Sequence, residues 1–341
     1  MRKVVVLLAL TMSACLPVEA RGAPGPPAVP ASRAGPVTIG TNTVEVITDG
    51  AAAVGRIVAT IDAADRTVHA EIYEFDRPEI LTAMLRARRR GVSVVVVGDM
   101  TVAVNEQTFA TLRDAGATVL GFPDGPLQID HVKLLIADGA VAIFGGMNWG
   151  KNSYRNHDFD VALTGPAVQR LEAVFSRDRV RSGDVEVSPL ALVPSPTGLR
   201  LLTSYPADEV RPAVIAAIDS AVSYVFIEMY VLTDAQVMAT LGRAVARGVA
   251  VWILFDPNQD LNRAAATRLR AAGLNVRFYR TSGEKLHAKA MVVDGRTLLV
   301  GSANWTSSGF TRNHEFDALV SSDRLAAVVL ARMEHDWWAS M

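Results

Sequence analysis

Cysteine is almost absent from this chain. Cys15 is the only one in 341 residues, which excludes an intramolecular disulfide. Long hydrophobic runs are also scarce. The stretch Val4 to Met12 follows Arg2 and Lys3 and is too short to span a bilayer. It reads as the apolar part of an export signal behind a positive start. Neither sign of charge is in excess. A net charge of −1 excludes a protein that binds polyanions over its whole surface, though not a local basic groove. No acidic cluster has the look of a metal site, so neither metal nor cofactor is expected. What remains is half hydrophobic and one-fifth charged, a globular composition, and long enough for two domains.

Residues 1–20 therefore form a signal peptide. Cleavage is expected before Cys15, in LTMSAC, or after Ala20, in VEA. The first resembles the lipobox of bacterial lipoproteins, with Met12 where Leu is usual, and makes Cys15 a lipid acceptor. Residues 21–36, rich in Pro, Ala and Gly, read as a semi-rigid tether. Both readings place the protein outside the cytoplasm, membrane-anchored or periplasmic and secreted.

The body is a duplication. HVKLLIADGAVAIFGGMNWG starts at His131, and HAKAMVVDGRTLLVGSANWT starts at His287. His131, Lys133, Asp138 and Asn148 answer to His287, Lys289, Asp294 and Asn304, each pair 156 residues apart. Glu71, Tyr73, Asp99 and Gly116 answer to Glu228, Tyr230, Asp256 and Gly273 at 157, as do Asn156 to Asp160 and Asn313 to Asp317. A core repeat keeps apolar residues and lets polar ones drift; here the polar ones persist. The period is that of a duplicated domain, not a solenoid unit. Domains are expected at 37–183 and 199–341, joined by a Pro-containing linker at 184–198.

Each half alternates strands and helices, an α/β pattern that predicts mixed, largely parallel sheets flanked by helices. Val68 to Phe75 reads as a strand. A helix follows with Pro78 in its first turn, an apolar face at Ile80, Leu81, Met84 and Leu85, and Gly91 as its stop. SVVVVGD and AVWILFD are continuous apolar runs, as in buried parallel strands. Within each signature two apolar runs meet at Asp-Gly, a hairpin signal. Two such halves imply a pseudo-twofold with one shared active site: a monomer with an internal pseudo-dimer.

In a strand, residues two apart share a face, so His131 and Lys133 face one ligand, as do His287 and Lys289. Lysine supplies positive charge for a phosphate, and histidine serves as nucleophile, acid or base near neutral pH. Asn148 and Asn304 are placed to donate to a non-bridging oxygen. Asp158 and Glu315 are expected to orient the histidine of their own repeat, His131 and His287 respectively.

The pattern HxKx4Dx6Gx2N, intact in both copies, resembles that of the phospholipase D superfamily, and the resemblance spans residues 37–341. It implies two phospholipase D-like domains and a two-step phosphodiester transfer. His131 attacks phosphorus to give a phosphohistidine; His287 protonates the leaving alcohol and then activates the acceptor. Lys133, Lys289, Asn148, Asn304 and Ser302 carry over as phosphate ligands. Gly146 stands opposite Ser302, so the halves are not equivalent. The activity expected is hydrolysis of phosphatidylcholine or phosphatidylethanolamine to phosphatidic acid at a membrane surface. Two alternatives are an endonuclease, which GSANWT resembles but the near-neutral charge disfavours, and a phosphatidyltransferase like cardiolipin synthase, which GGMNWG and GPAV resemble although its usual pair of N-terminal transmembrane helices is not seen.

Blander roles are expected elsewhere. Asp138 and Asp294 suit Asp-Gly turns. His157 and His314 read as supporting or surface groups rather than metal ligands. Glu71 and Glu228 are open between a structural bond and a ligand contact. Trp149 and Trp305 read as packing, and RARRRG as a solvated helix end.

Overall fold

The computed structural model describes residues 35–123, 128–280 and 283–341. The expected signal peptide, Cys15 and nearly all of the tether lie outside these. The first half runs β1 (Val37–Ile39), β2 (Asn42–Ile47), α1 (Gly50–Ala63), β3 (Thr67–Ile72), α2 (Pro78–Arg89), β4 (Ser93–Gly98), α3 (Asn105–Asp114), β5 (Thr118–Gly121), β6 (Lys133–Ala137), β7 (Val141–Gly145), β8 (Asp160–Thr164) and α4 (Val168–Arg181). The second half runs β9 (Leu199–Thr203), α5 (Val210–Asp219), β10 (Tyr224–Met229), α6 (Ala235–Ala246), β11 (Ala250–Phe255), α7 (Asp260–Ala271), β12 (Asn275–Phe278), β13 (Lys289–Val293), β14 (Thr297–Gly301), α8 (Ser307–Thr311), β15 (Phe316–Ser321) and α9 (Asp323–Ala339). Residues 184–198 between them carry neither helix nor strand. No described helix is long and apolar enough to cross a membrane.

Two sheets result, ordered β1-β2-β8-β7-β6-β3-β4-β5 and β12-β11-β10-β13-β14-β15-β9. Both are mixed, as expected, but the parallel share is smaller than strand–helix alternation suggests. Parallel pairing is confined to β3-β4-β5 and to β10-β11-β12. The rest is antiparallel, because the Asp-Gly hairpins β6-β7 and β13-β14 fold back and β8 and β15 return beside them.

The hairpin turns need a left-handed backbone at two successive residues. Asp138 and Gly139 have φ of 53° and 64°, and Asp294 and Gly295 have 50° and 66°. That is the primed turn whose twist matches the flanking strands. Asp tolerates the region better than most residues because its short side chain bonds locally. Helix α2 keeps Ile80 and Met84 buried, starts at Pro78 and stops before Gly91 at φ 88°. Its basic run binds neighbouring structure. Arg86 donates to Asp62, and Arg90 to the carbonyls of Ile61 and Ala64, which end α1.

One apolar cluster belongs to both halves. Val132, Leu134, Phe144 and Val161 pack with Ala288, Ala290, Val300 and Phe316, and the Phe144 and Phe316 rings meet edge to face at 5.3 Å. A further cluster lies wholly in each half. Each large side chain buried in the shared cluster contributes roughly 2 kcal/mol to folding and to the union of the halves. That union sets β6 and β13 side by side in function, with the signature histidines just before each.

Candidate active site

His131 and His287 sit at the entries of β6 and β13, and both are buried. Each is tied by its backbone to the opposite half. The His131 amide donates to the carbonyl of His314, and the His314 amide to that of Ile129, both at 2.9 Å. The His157 amide donates to Lys285 at 2.8 Å, and the His287 amide to His157 at 2.9 Å.

The side chains cross in the same way. His131 Nδ1 is 2.8 Å from Glu315 Oε2, and His287 Nδ1 is 3.0 Å from Asp158 Oδ2. This corrects the expectation that each carboxylate orients the histidine of its own repeat. The reason is steric and local: each Asn-His-(Asp/Glu) segment forms its β-bridge with the strand entry of the other half. Because a carboxylate engages Nδ1 in each ring, Nε2 is the nitrogen that meets a substrate, at His287 beside the Lys289 ammonium.

Lys133 and Lys289 are buried beside the histidines, each ammonium donating to the carbonyl of its own motif histidine. Lys289 Nζ also lies 2.9 Å and 3.0 Å from the two ring nitrogens of His287. Tyr73 and Tyr230 wall the pocket, with ring centroids 4.9 Å from His131 and 4.8 Å from His287. The lysine ammoniums stand 5.2 Å and 5.3 Å from these same rings. The repeat matches the two tyrosines, but only their approach to the histidines gives them a role.

The signature asparagines are not held alike. Asn148 Nδ2 donates to Glu74 Oε2 at 3.0 Å. Val231 occupies the position equivalent to Glu74 and cannot accept. Both Asn148 and Asn304 keep a buried Oδ1 without a partner. Ser302 departs from its expected place as a phosphate ligand. Its hydroxyl donates to Glu315 Oε2 at 2.6 Å and accepts from the Phe316 amide, so it fixes the carboxylate that fixes His131. At Gly146 a Cβ would lie 2.4 Å from Asp158 Oδ1, so the first half has no room for a serine. The motif glycines Gly145 and Gly301 have the same origin: a Cβ would meet Asp160 and Asp317 at 2.4 Å and 1.4 Å.

Burial dominates the electrostatics. It lowers Lys133 to about 8 and Lys289 to about 7, and pushes His287 down to about 3 against the pull of Asp158. His131 is driven well down by burial and then by the two lysines. Burial raises Glu315 to about 7. Burial also works to raise Asp158, but His287 and Lys289 outweigh it and hold this carboxyl below its ordinary value. The pocket thus holds four buried basic groups against two carboxylates, Asp158 and Glu315, too few to keep all four charged. A phosphodiester supplies the missing negative charge.

Asp138 and Asp294 lie at the far end of the hairpins. Asp138 accepts from the amides of Asp65, Arg66 and Thr67 at 2.8–2.9 Å. Asp294 accepts from Val222, Ser223 and Tyr224 at 2.8 Å. They pin each hairpin to the start of β3 or β10 and stay remote from the histidines. Trp149 packs edge-on to Phe75, and Trp305 is fully buried.

The second histidines form two buried clusters across the same seam. His314 Nε2 is 3.1 Å from Asp178 and 3.3 Å from Glu71. His157 Nε2 is 2.6 Å from Glu228 and 3.3 Å from Asp336. These are the two groups of described residues with donor atoms close enough to hold a metal. In each, a histidine is already ion-paired to its carboxylates, and Arg332 donates to Asp336 at 2.6 Å. Glu71 and Glu228 therefore serve structural ion pairs. Asp178 and Asp336 were missed because they are 158 residues apart, off the 157-residue register of their partners.

The family model described as "Cardiolipin synthase, PLD-like domain" matches residues 57–179 and again 214–337. The chain belongs to this family. It is thus a phospholipase D-like enzyme acting on phosphodiester bonds, with the two copies of the domain corresponding to the two sheets. It is 26% identical to a cardiolipin synthase of Geobacillus kaustophilus (strain HTA426) over 345 residues, which cover 90% of this chain and 68% of that one. It is 29% identical to cardiolipin synthase A of Pseudomonas putida (strain W619), covering 84% of this chain and 66% of that one. The chain thus spans about two thirds of the length of these relatives. A solved phosphatidylserine synthase of Haemophilus influenzae Rd KW20 superposes with a TM-score of 0.68 at 14% identity, covering 86% of each chain; at that identity the likeness shows the fold alone.

These relatives are synthases. The two cardiolipin synthases overturn the expectation of phospholipid hydrolysis to phosphatidic acid, and with it the label of a lipid-degrading hydrolase. They give no support to a nucleic-acid substrate either. The two motifs behind the hydrolytic reading are common to transferases and hydrolases of one chemistry.

Proposed function

We propose that this phospholipase D-like enzyme is a phosphatidyltransferase of the cardiolipin synthase type. It moves a phosphatidyl group from a phosphatidylglycerol donor to an alcohol of a second lipid. The observation that carries the reading is the family match across both halves together with relatives named cardiolipin synthase along nearly the whole chain.

His131 Nε2 attacks phosphorus and the P–O bond to the leaving glycerol breaks. His287 Nε2 gives its proton to that oxygen, later takes one from the acceptor alcohol, and the acceptor displaces His131. The division of labour is supported by the carboxylates. An acid must carry a second ring proton, and the ionised Asp158 stabilises the imidazolium that His287 becomes once a bound phosphodiester offsets the burial that keeps the free ring neutral. Lys133, Lys289 and the asparagines hold the non-bridging oxygens, and such preorganised charge is typically the largest single contribution to rate. The charged and then apolar N-terminus supports an exported protein, with Cys15 as its lipid acceptor.

The test is direct. Purified protein is given phosphatidylglycerol vesicles, and the lipid products and free glycerol are quantified. Cardiolipin with equimolar glycerol is expected. Phosphatidic acid as the sole phospholipid product would overturn the proposal.

A further inference from the structure

The duplication provides an internal comparison at the mouth of the pocket. The loop between β4 and α3 and the loop between β11 and α7 are held by the same device. Asn105 accepts from the Phe75 amide at 2.7 Å and donates to the carbonyls of Tyr73 at 2.8 Å and Asp99 at 2.9 Å. Asn262 accepts from the Leu232 amide at 3.3 Å and donates to Tyr230 at 2.8 Å and Asp256 at 3.3 Å. Both loops are therefore anchored to the backbone of the tyrosines that touch the histidines.

Their side chains differ in kind. The first loop reads Met100, Thr101, Val102, Ala103, Val104; the second, running into the first turn of α7, reads Pro257, Asn258, Gln259, Asp260, Leu261. Met100 is 44% exposed where the second half has Pro257; Val104 and its counterpart Leu261 are 47% and 62% exposed and do not distinguish the halves. The residue two before each motif histidine differs in the same sense, with Ile129 in the first half and Lys285 in the second. In the second half these polar groups reach the pocket wall. Gln259 Nε2 donates to the Tyr230 hydroxyl at 2.7 Å, and Lys285 Nζ stands 4.3 Å from the centre of its ring. Val102 and Ile129 have no polar side-chain atom with which to do this at Tyr73.

We propose that the two rims divide the substrate. The first-half rim, Met100, Val102 and Ile129, receives the acylated glycerol of the phosphatidyl group. The second-half rim, Gln259 and Lys285, receives the polar alcohol that leaves and the one that replaces it. Apolar surface favours acyl chain, and hydroxyl-rich alcohols need donors and acceptors that survive desolvation. The arrangement also puts the exchanging alcohol on the side of His287, which handles its proton. This inference rests on the phosphatidyl-transfer reading and adds the orientation of the substrate within it.

Two double variants test it: Val102→Gln with Ile129→Lys, and Gln259→Val with Lys285→Ile. Each is assayed by steady-state transfer from a long-chain phosphatidylglycerol, from a short-chain soluble one, and to isotope-labelled glycerol or a longer polyol as acceptor, with circular dichroism to verify folding. The first pair should raise KM for the long-chain donor about tenfold relative to the short-chain donor, the size of one lost favourable contact set. The second should raise KM for the acceptor alcohol by about the same factor while leaving the long- to short-chain ratio at its wild-type value. Equal effects of both pairs on both ratios, or the reverse assignment, would overturn the proposal. A wild-type protein that transfers to no alcohol would instead defeat the underlying reading, and the two failures are told apart by the unmutated control.

Discussion

Glu315, in the second half of the chain, holds His131 of the first half through a 2.8 Å bond to Nδ1. Asp158 does the converse for His287. Crossed pairing predicts crossed phenotypes. Glu315→Gln should slow formation of the phosphoenzyme, the step assigned to His131. Asp158→Asn should slow the proton-dependent steps assigned to His287 and let the covalent species accumulate with a good leaving group. Losses of about 10²- to 10⁴-fold in kcat are expected. Rapid-quench measurement of protein-bound phosphate separates the cases; accumulation with Glu315→Gln and none with Asp158→Asn would reverse the assignment.

Anion binding should be accompanied by proton uptake. Free Lys289 and Lys133 lie near 7 and 8 because burial disfavours their charge. A bound tetrahedral anion restores the ordinary preference for the ammonium and raises both values. At pH 8 calorimetry with tungstate should therefore show uptake of between one and two protons from buffers of differing ionisation enthalpy. Affinity should fall as pH rises past 8. Release of protons, or affinity that is flat with pH, would contradict the charge state argued for the pocket.

Asp138→Ala and Asp294→Ala should damage the fold and spare the chemistry. Each removes three bonds to backbone amides and puts alanine at a positive φ, which together cost roughly 1–3 kcal/mol. Melting temperature should drop while kcat per folded molecule stays near wild type. A loss of kcat without a loss of stability would give these aspartates a chemical role.

Gly146→Ser and Ser302→Gly should not be mirror images. The first forces a Cβ to within 2.4 Å of Asp158 Oδ1, so the orienting carboxylate of His287 must move. The second removes the bond to Glu315 and the one accepted from the Phe316 amide, and creates no clash. Gly146→Ser is expected to cost the larger fraction of kcat, read in the same transfer assay with thermal melts alongside.

His314 carries a stability that depends on pH. Burial works to lower it, but Asp178 and Glu71 hold it well above its ordinary value. A histidine with a raised folded value contributes fully below its unfolded value of about 6.5, and that contribution is lost as pH rises through the folded value. The gap in melting temperature between wild type and His314→Asn should thus be largest near pH 6, equivalent to roughly 3–5 kcal/mol, and narrow at alkaline pH. A gap constant with pH would mean the ring is neutral in the native protein.

Much of this was legible in the sequence, for identifiable reasons. Repetition of His131, Lys133 and Asn148 as His287, Lys289 and Asn304 marked polar residues that packing alone would not preserve. Asp138-Gly139 and Asp294-Gly295 announced their hairpins through turn chemistry. What stayed hidden was the partner of each histidine. A symmetric duplication offers Asp158 and Glu315 equally to either ring, and only the path of the chain through the seam chooses. Asp178 and Asp336 escaped because register slips by one residue in α4 and α9. The parallel content was overread because strand–helix alternation describes β3 to β5 and not the hairpins that follow. Donor, acceptor and fate of the phosphatidyl group turn on the rim, where residues such as Ile129 and Lys285 break the repeat that made the centre readable.

The linker 184–198 lacks regular structure, with Val185, Leu190 and Leu192 well exposed, yet it joins halves that exchange their catalytic supports. Such a chain is a conditional device. Severed there, each fragment would carry a histidine aimed by nothing, and chemistry would return only when both fragments meet.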